Sequence, residues 1–445
     1  MPPPFRFRPV PAASRLRPAV VAGRRPDRHR LDAFNQVKII HVFEKMVNMR
    51  LLASTRLMHK IRHINQWNPS PVPILSAAGP VAAASPFNLN FDPSQLRQSW
   101  ALPLHPRPIV IIGAGDIVRD AHLPAYRRAG FPVAGAFDLR REVAEARAQE
   151  FDLPQVFATV EEAVAVPNAV FDLATPPRAL ETALEKLPDG AAVLLQKPMG
   201  NSLAMARRIR AICERKQLRA AVNFQFRFSP SMLAVQDLIN RGELGELVEI
   251  EVHLNVATPW DTFPFLLSES RVEIQVHTVH YLDTIRLFLG NPSRAFARTV
   301  KHPRFSQLAS TRSSIILDYG DMIRCCLSVN HCHPFGPRHA DATIRIEGTE
   351  GCAVATIGAL IDYPRGQPDR LEIFTRSSPE WLTVPLTGRW FPDAFIGTMA
   401  NLQRFVAGED AALVSPVADA LQTMKLVEAC YVSDARGGTN LESLT

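Results

Sequence analysis

The sequence predicts an α/β chain: a doubly wound parallel sheet, followed by an α+β domain with a large, mainly antiparallel open sheet. Three observations carry this. Short apolar runs alternate with stretches of helical spacing over residues 106–225, which is the signature of βαβ units. Past residue 230 the rhythm changes to consecutive strand-like runs joined by short turns, and such runs pair antiparallel. A Gly-x-Gly stands between the first apolar run and the first helix, where a parallel sheet of this kind takes its ligand.

Taken in order, 108–112 is the first buried strand and ends in Gly113; 117–129 has helical spacing. A second strand at 132–137 precedes an Ala-rich, charged helix at 139–150. Strands at 169–174 and 191–195 flank a helix at 177–187, and a helix at 202–216 leads to a strand at 219–224. These strands are apolar throughout, as expected where helices cover both faces. A helix at 232–240 ends at Gly242. Strands are then expected at 247–256, 293–300, 313–318, 322–330, 342–347, 352–356, 370–375 and 381–385, with a helix at 273–289 among them and closing helices at 392–406 and 416–436. Helices cover one face of this second sheet. The other needs burial too, so a homo-oligomer packed through the open sheet is expected.

At 445 residues the chain exceeds one ordinary domain, and with 47% apolar and 21% charged residues most of it can bury a core. A net charge of +7 invites a nucleic-acid reading, but residues 1–66 hold 14 Lys/Arg against 3 Asp/Glu, leaving 36 against 40 for the rest. The body is mildly acidic, and no nucleic-acid partner is expected. Residues 1–105 are set apart as a basic extension and linker. Residues 1–30, rich in Pro and Arg, read as disordered, 31–64 as a basic amphipathic helix, and 68–106, rich in Pro, Ala and Ser, as linker. The extension fits a membrane-surface or partner helix, an organelle presequence, an unstructured extension, or residues upstream of the true translation start. Six cysteines without framework spacing suit a reduced, cytoplasmic protein. No apolar run approaches the ~18 residues of a span, so no membrane partner is expected.

Gly113-Ala114-Gly115-Asp116-Ile117-Val118 has the form of a dinucleotide loop. Gly113 permits the tight turn and Gly115 lets backbone approach a pyrophosphate at the helix N-terminus. Val118 stands where the fingerprint has its third glycine. Asp138 ends the second strand 23 residues after Gly115, near the ~20 expected of a ribose-binding acid. A carboxylate there favours NAD. Arg140 and Arg141 would instead hold a 2′-phosphate, so NAD and NADP both stay open.

Further motifs follow in order: His122-Leu123-Pro124-Ala125, Asp172-Leu173-Ala174-Thr175-Pro176-Pro177, Gln196-Lys197-Pro198, Asn223 to Pro230, Gly242-Glu243-Leu244-Gly245, His280-Tyr281-Leu282-Asp283, Glu347-Gly348-Thr349-Glu350-Gly351, and Ser415-Pro416 with Asp419-Ala420. Over residues 106–445 this series resembles the glucose–fructose oxidoreductase / inositol dehydrogenase / rhizopine-catabolism (Gfo/Idh/MocA) family. The resemblance implies a Rossmann NAD(P)-binding domain at 106–225 and a substrate-binding and oligomerisation domain at 226–445. It implies an enzyme that transfers a hydride reversibly between NAD(P) and a carbinol carbon of a sugar, cyclitol or sugar derivative.

By the same resemblance Lys197 contacts substrate and nicotinamide, and His280 serves as acid/base or substrate ligand. Three positions depart from the family pattern: Gln196 stands for Glu, Val276 for an acid four residues before the histidine, and Leu180 for a histidine. They leave a second reading open, a catalytically degenerate dinucleotide-binding relative with a regulatory or binding role. From the residues themselves, Glu273, His277 and His280 fall at i, i+4 and i+7 on one helical face. A Glu–His pair there would orient or charge-tune the imidazole. Two histidines and a carboxylate also suit a metal, but the resemblance implies none and none is expected. The cluster His331, Cys332, His333 and His339 is set aside as a metal site because alternation along a strand separates Cys332 from its neighbours.

Lys197, His280 and His277 are thus the candidate catalytic residues. Cofactor contacts are expected from Gly113, Gly115, Asp116, Ile117, Asp138, Arg140, Thr175, Pro176, Gln196, Lys197, Asn223 and Gln225. Substrate contacts are expected from Lys197, Arg227, Trp260, His277 and His280, with Trp260, Asp261 and Phe263 on a loop at 257–271 over the cleft.

Overall fold

The structure, a computed structural model, describes residues 91–362 and 366–441. The helix expected at 31–64 and the disorder expected at 1–30 lie outside the described residues.

The first sheet is five-stranded and parallel, in the order β2-β1-β3-β4-β5, with β1 Ile109–Ile112, β2 Val133–Phe137, β3 Val170–Leu173, β4 Ala192–Leu195 and β5 Arg219–Val222. Every residue of β1, β3 and β4 is buried, which explains their unbroken apolar character. The connecting helices are α1 Leu123–Ala129, α2 Arg141–Phe151, α3 Val160–Val164, α4 Leu180–Lys186 and α5 Leu203–Arg215. The one-turn α3 was not expected; it starts on a Thr159 side chain that accepts from the Glu162 N–H. A π turn, Val118–His122, precedes α1.

The second part begins with α6 Pro230–Asn240, capped by the Ser229 hydroxyl. Its eight-stranded sheet has the order β13-β12-β11-β10-β6-β9-β8-β7, built from β6 Leu247–Asn255, β7 Arg294–Val300, β8 Arg312–Asp318, β9 Arg324–Asn330, β10 Asp341–Gly348, β11 Cys352–Thr356, β12 Arg370–Thr375 and β13 Ser378–Thr383. All neighbours are antiparallel except β6 and β9, which run parallel. Ile250, Val252 and Leu254 alternate into the core with Cys325, Leu327 and Val329 beside them. The opposite face carries Phe296 and Ile316, register partners that are 52% and 57% exposed. A π turn, Ile274–Thr278, runs into α7 Val279–Leu289.

Two helices close the described chain, α8 Ala394–Ala407 and α9 Val417–Arg436. The first lays Phe395, Met399 and Leu402 into the core that holds Ile109, Ile111 and Leu123, so the nucleotide sheet is completed by residues from the far end of the sequence. No helix among the described residues is long and apolar enough to cross a membrane.

Residues 91–106 depart from the linker expected there. Leu96 is buried, Gln98 bonds Pro385 and Thr387, and Trp100 donates from its indole to Asp410 and meets Phe228 edge-on at 5.3 Å. The Pro- and Ser-rich composition hid two large apolar anchors, and burial of these outweighs the weak local propensity. Trp100→Ala should therefore cost about 2–4 kcal/mol in urea denaturation; an unchanged midpoint would return the segment to the status of a linker.

Candidate active site

The C-terminal ends of β1 to β5 share one edge, and the expected nucleotide-site residues gather there. Gly113 has φ +93°, and a Cβ on it would stand 2.8 Å from the Ala174 carbonyl oxygen, so the turn admits glycine alone. Nothing lies within 4 Å of the place a Gly115 Cβ would take, leaving the backbone open to an approaching group. Asp138 accepts from the N–H groups of Ala114 and Arg140 at 2.8 and 2.9 Å, which fixes its carboxylate beside the glycine loop. Asp116 and Arg140 are exposed and Ile117 is half-buried at the mouth. At the ends of β3 and β5 the Thr175 hydroxyl, Asn223 Oδ1 and Gln225 Oε1 are buried without hydrogen-bond partners, while Pro176 is exposed. An open loop, a fixed acid and unspent buried acceptors fit a dinucleotide.

Beneath this edge runs a chain of polar groups that the sequence reading did not assemble. His122 Nδ1 lies 2.6 Å from Asp172 Oδ2, which also accepts from the Tyr126 hydroxyl at 2.7 Å. Across the ring, His122 Nε2 lies 3.1 Å from Gln196 Nε2 and 3.4 Å from Asn223 Nδ2. Gln196 Oε1 accepts the Lys197 N–H at 2.7 Å. The donors dictate the tautomer: Nδ1 carries the proton toward Asp172, and Nε2 accepts from the amides. Gln196, expected at the cofactor, thus turns inward, because both ends of its amide are spent on His122 and on the backbone. The motifs around His122 and Asp172 were visible, but only proximity in the fold joins them.

Lys197 Nζ donates to the Val276 carbonyl oxygen at 2.9 Å, which brings the start of the second domain's helix to the end of β4. Burial pushes Lys197 down to about 8. His280 is buried beside it, and its imidazole is pushed well below the ordinary range, first by burial and then by the Lys197 ammonium. His277 is lowered likewise by burial, then by His331, Lys197 and His280. The three candidate catalytic residues therefore lie within electrostatic reach of one another.

Three expectations are corrected. Arg227, expected in the cleft, is 3% exposed. It donates from Nε and Nη2 to Asp283 at 2.5 and 2.6 Å, from Nη2 to Asp419 at 2.6 Å and from Nη1 to the Val414 carbonyl at 2.7 Å. A buried guanidinium takes the fixed acceptors around it, and four of its five N–H groups are spent here on the protein itself. Trp260, expected to contact substrate from a loop over the cleft, is 3% exposed; its indole donates to the His331 carbonyl, and its ring edge meets His277 at 5.1 Å. Apolar area of that size is buried wherever the loop allows. Glu273 does not pair with His277. The π turn breaks the i, i+4 register of an α-helix, and the histidine facing Glu273 is His331, 3.6 Å from its carboxylate. His331 stacks on His277 with centroids 4.4 Å apart. His333 lies elsewhere, against Asn255. Among the described residues no three His, Cys, Asp or Glu side chains are placed to hold a metal.

Comparison with known proteins follows the same division. Residues 107–224 match the sequence model of an oxidoreductase family with an NAD-binding Rossmann fold, and residues 232–354 match the GFO/IDH/MocA C-terminal domain. A D-apiose dehydrogenase of Paraburkholderia graminis is 27% identical over 356 residues, covering 75% of this chain and 89% of its own. An oxidoreductase of Agrobacterium radiobacter, solved with NAD+, L-tartaric acid and magnesium, superposes with a TM-score of 0.61 at 21% identity, over 77% of this chain and all of its own. The WlbA dehydrogenase of Bordetella pertussis, solved with NADH and UDP-GlcNAcA, gives 0.59 at 18% identity, over 75% and 98%. The last two likenesses speak to the fold.

Arg227→Met would strand the Asp283 carboxylate in the interior, and we expect a loss of about 3–5 kcal/mol by chemical denaturation. A variant as stable as the parent would restore Arg227 as a candidate ligand.

Proposed function

The chain belongs to the Gfo/Idh/MocA oxidoreductase family, and from that premise we propose that Lys197 takes the hydroxyl proton of a sugar-type carbinol as it is oxidised to the carbonyl. The protein is an NAD(P)-dependent oxidoreductase acting on carbinols of the sugar or cyclitol kind. The observation that carries the finer reading is the meeting of Lys197 with the helix of His277 and His280 at the edge of the nucleotide sheet. When bound, NAD(P) supplies the hydride acceptor.

The protein's own groups divide the remaining work. A lysine that burial brings to about 8 is close enough to working pH to hold the substrate oxygen as ammonium and receive its proton as amine. His280 and His277, neutral at pH 7, orient the hydroxyl. Asp138, fixed by two backbone N–H groups, suits a ribose 2′-hydroxyl and opposes a 2′-phosphate, so NAD is the cofactor we favour. The D-apiose dehydrogenase relative favours a sugar as substrate. A second copy of the chain would cover the exposed Phe296 and Ile316, which argues for a homo-oligomer through the open sheet face.

NAD should raise the melting temperature. Lys197→Met should keep that shift while lowering turnover at least about 100-fold, in a screen of sugars followed by nicotinamide absorbance. Oxidation should rise with pH to a plateau, with a midpoint near about 8 set by Lys197. No shift with either NAD or NADP, or full turnover in Lys197→Met, would refute the assignment.

A further inference from the structure

Behind His277 lies a buried carboxylate that the reading above leaves idle. Glu273 is fully buried. Its Oε1 accepts from the Thr278 hydroxyl at 2.5 Å, its Oε2 from the Ser313 hydroxyl, and its N–H donates to the Ser310 hydroxyl. No Lys or Arg pairs with it among the described residues; the basic group that faces it is His331, whose Nε2 is 3.6 Å from Oε1 and has no hydrogen-bond partner. The other ring nitrogen of His331 lies 2.8 Å from the Thr258 hydroxyl. Tyr281 on its own helix and Cys430 and Tyr431 on α9 also face Glu273, and each is held neutral first by burial and then by the carboxylate.

Two features make this more than a polar accident of packing. A carboxylate buried without a cation is costly, and a core position tolerates an apolar residue far more readily. The same cluster also leaves His277 Nδ1 and His331 Nε2 buried and unpartnered on two stacked rings, so proton positions there are not yet fixed by hydrogen bonds. One turn away, Val276 stands where the family pattern has an acid.

We propose that Glu273 and His331 act as a pair of positioning residues behind His277, with the proton on Glu273 setting the charge beside the stacked rings. Burial pushes Glu273 up to about 7 and His331 down to about 3. Below neutrality the proton rests on Glu273 and the stacked rings face no carboxylate. As pH passes about 7, Glu273 releases its proton to solvent, and the carboxylate formed 3.6 Å from His331 Nε2 favours the arrangement of ring protons on the stack that directs an N–H toward it. The role in turnover rests on the assignment of Lys197 to the carbinol proton and of His277 and His280 to the hydroxyl; the titration of Glu273 itself does not.

The test is a titration of the full chain, without cofactor, labelled with carbon-13 at histidine Cε1 and followed by NMR from about pH 5.5 to about pH 8.5. His277→Asn and His331→Asn assign the two signals. We expect both to move together with a midpoint near about 7, and the movement to vanish in Glu273→Gln. Ser313→Ala, which removes a hydroxyl donor to the carboxylate, should move the midpoint upward and serves if Glu273→Gln does not fold. Flat signals, or a midpoint unchanged in a folded variant, overturn the proposal. Because the readout needs no substrate, its failure leaves hydride transfer standing, and loss of the Lys197 assignment leaves the titration standing.

Discussion

A guanidinium taken out of water must find acceptors for its N–H groups, and Arg227 finds them on three separate segments: Asp283 on α7, Asp419 on α9 and the carbonyl of Val414. Thr423 adds a hydrogen bond to Asp283, and Arg286 takes the second oxygen of Asp419. The knot sits where the chain leaves the nucleotide sheet. Asp283 is three residues past His280, so the pair Arg227–Asp283 fixes the rotation of α7 against β4 and β5, and with it the approach of the imidazole to Lys197. The buried pair adds little net stability by itself. Its contribution is to make one docking of helix on sheet far better than its neighbours.

A second constraint answers the departure at Gln196. With Nδ1–H directed at Asp172, the lone pair on His122 Nε2 needs a donor, and an amide supplies one where a carboxylate would not. Gln196 therefore agrees with the histidine beneath it, and through its Oε1 it holds the backbone N–H of Lys197. The substitution keeps the strand end in place and adds no charge. This weighs against reading Gln196 as the mark of a degenerate site.

Where periodicity is strong, the sequence was a good guide. β11 and β12 fall at the residues expected, and both sheets have the predicted character, because an apolar run or an alternating strand states its own burial. The glycine loop, Asp138 and Lys197 were legible since turn geometry and strand ends impose residue type. What failed depended on partners distant in sequence. Arg227 looked like a cleft residue because nothing local announces Asp283 and Asp419. Two continuous helices, at 117–129 and 273–289, each begin with a π turn, and periodicity cannot report an extra residue in a turn. That insertion re-aims His277 and removes Glu273 from its expected face. His331 stands out in sequence only as part of a metal-like run, and its place beside Glu273 follows from β9 lying between β6 and β8, whose Ser313 donates to Glu273.

The pairing of β6 with β9 has one more consequence. β6 and β9 are parallel, so the chain cannot join them by a hairpin; it travels through the whole stretch 256–323 before β9 is laid down beside β6. Trp260, Glu273, His277 and His280 all lie within that excursion, and His331 follows at its far end, where Ala257 and Cys332 meet across the gap. Closing so long a loop costs entropy before any contact repays it, and non-local parallel pairing forms slowly. The polar back of the site therefore depends on an entropically expensive pairing, one that the hairpins of the same sheet do not need.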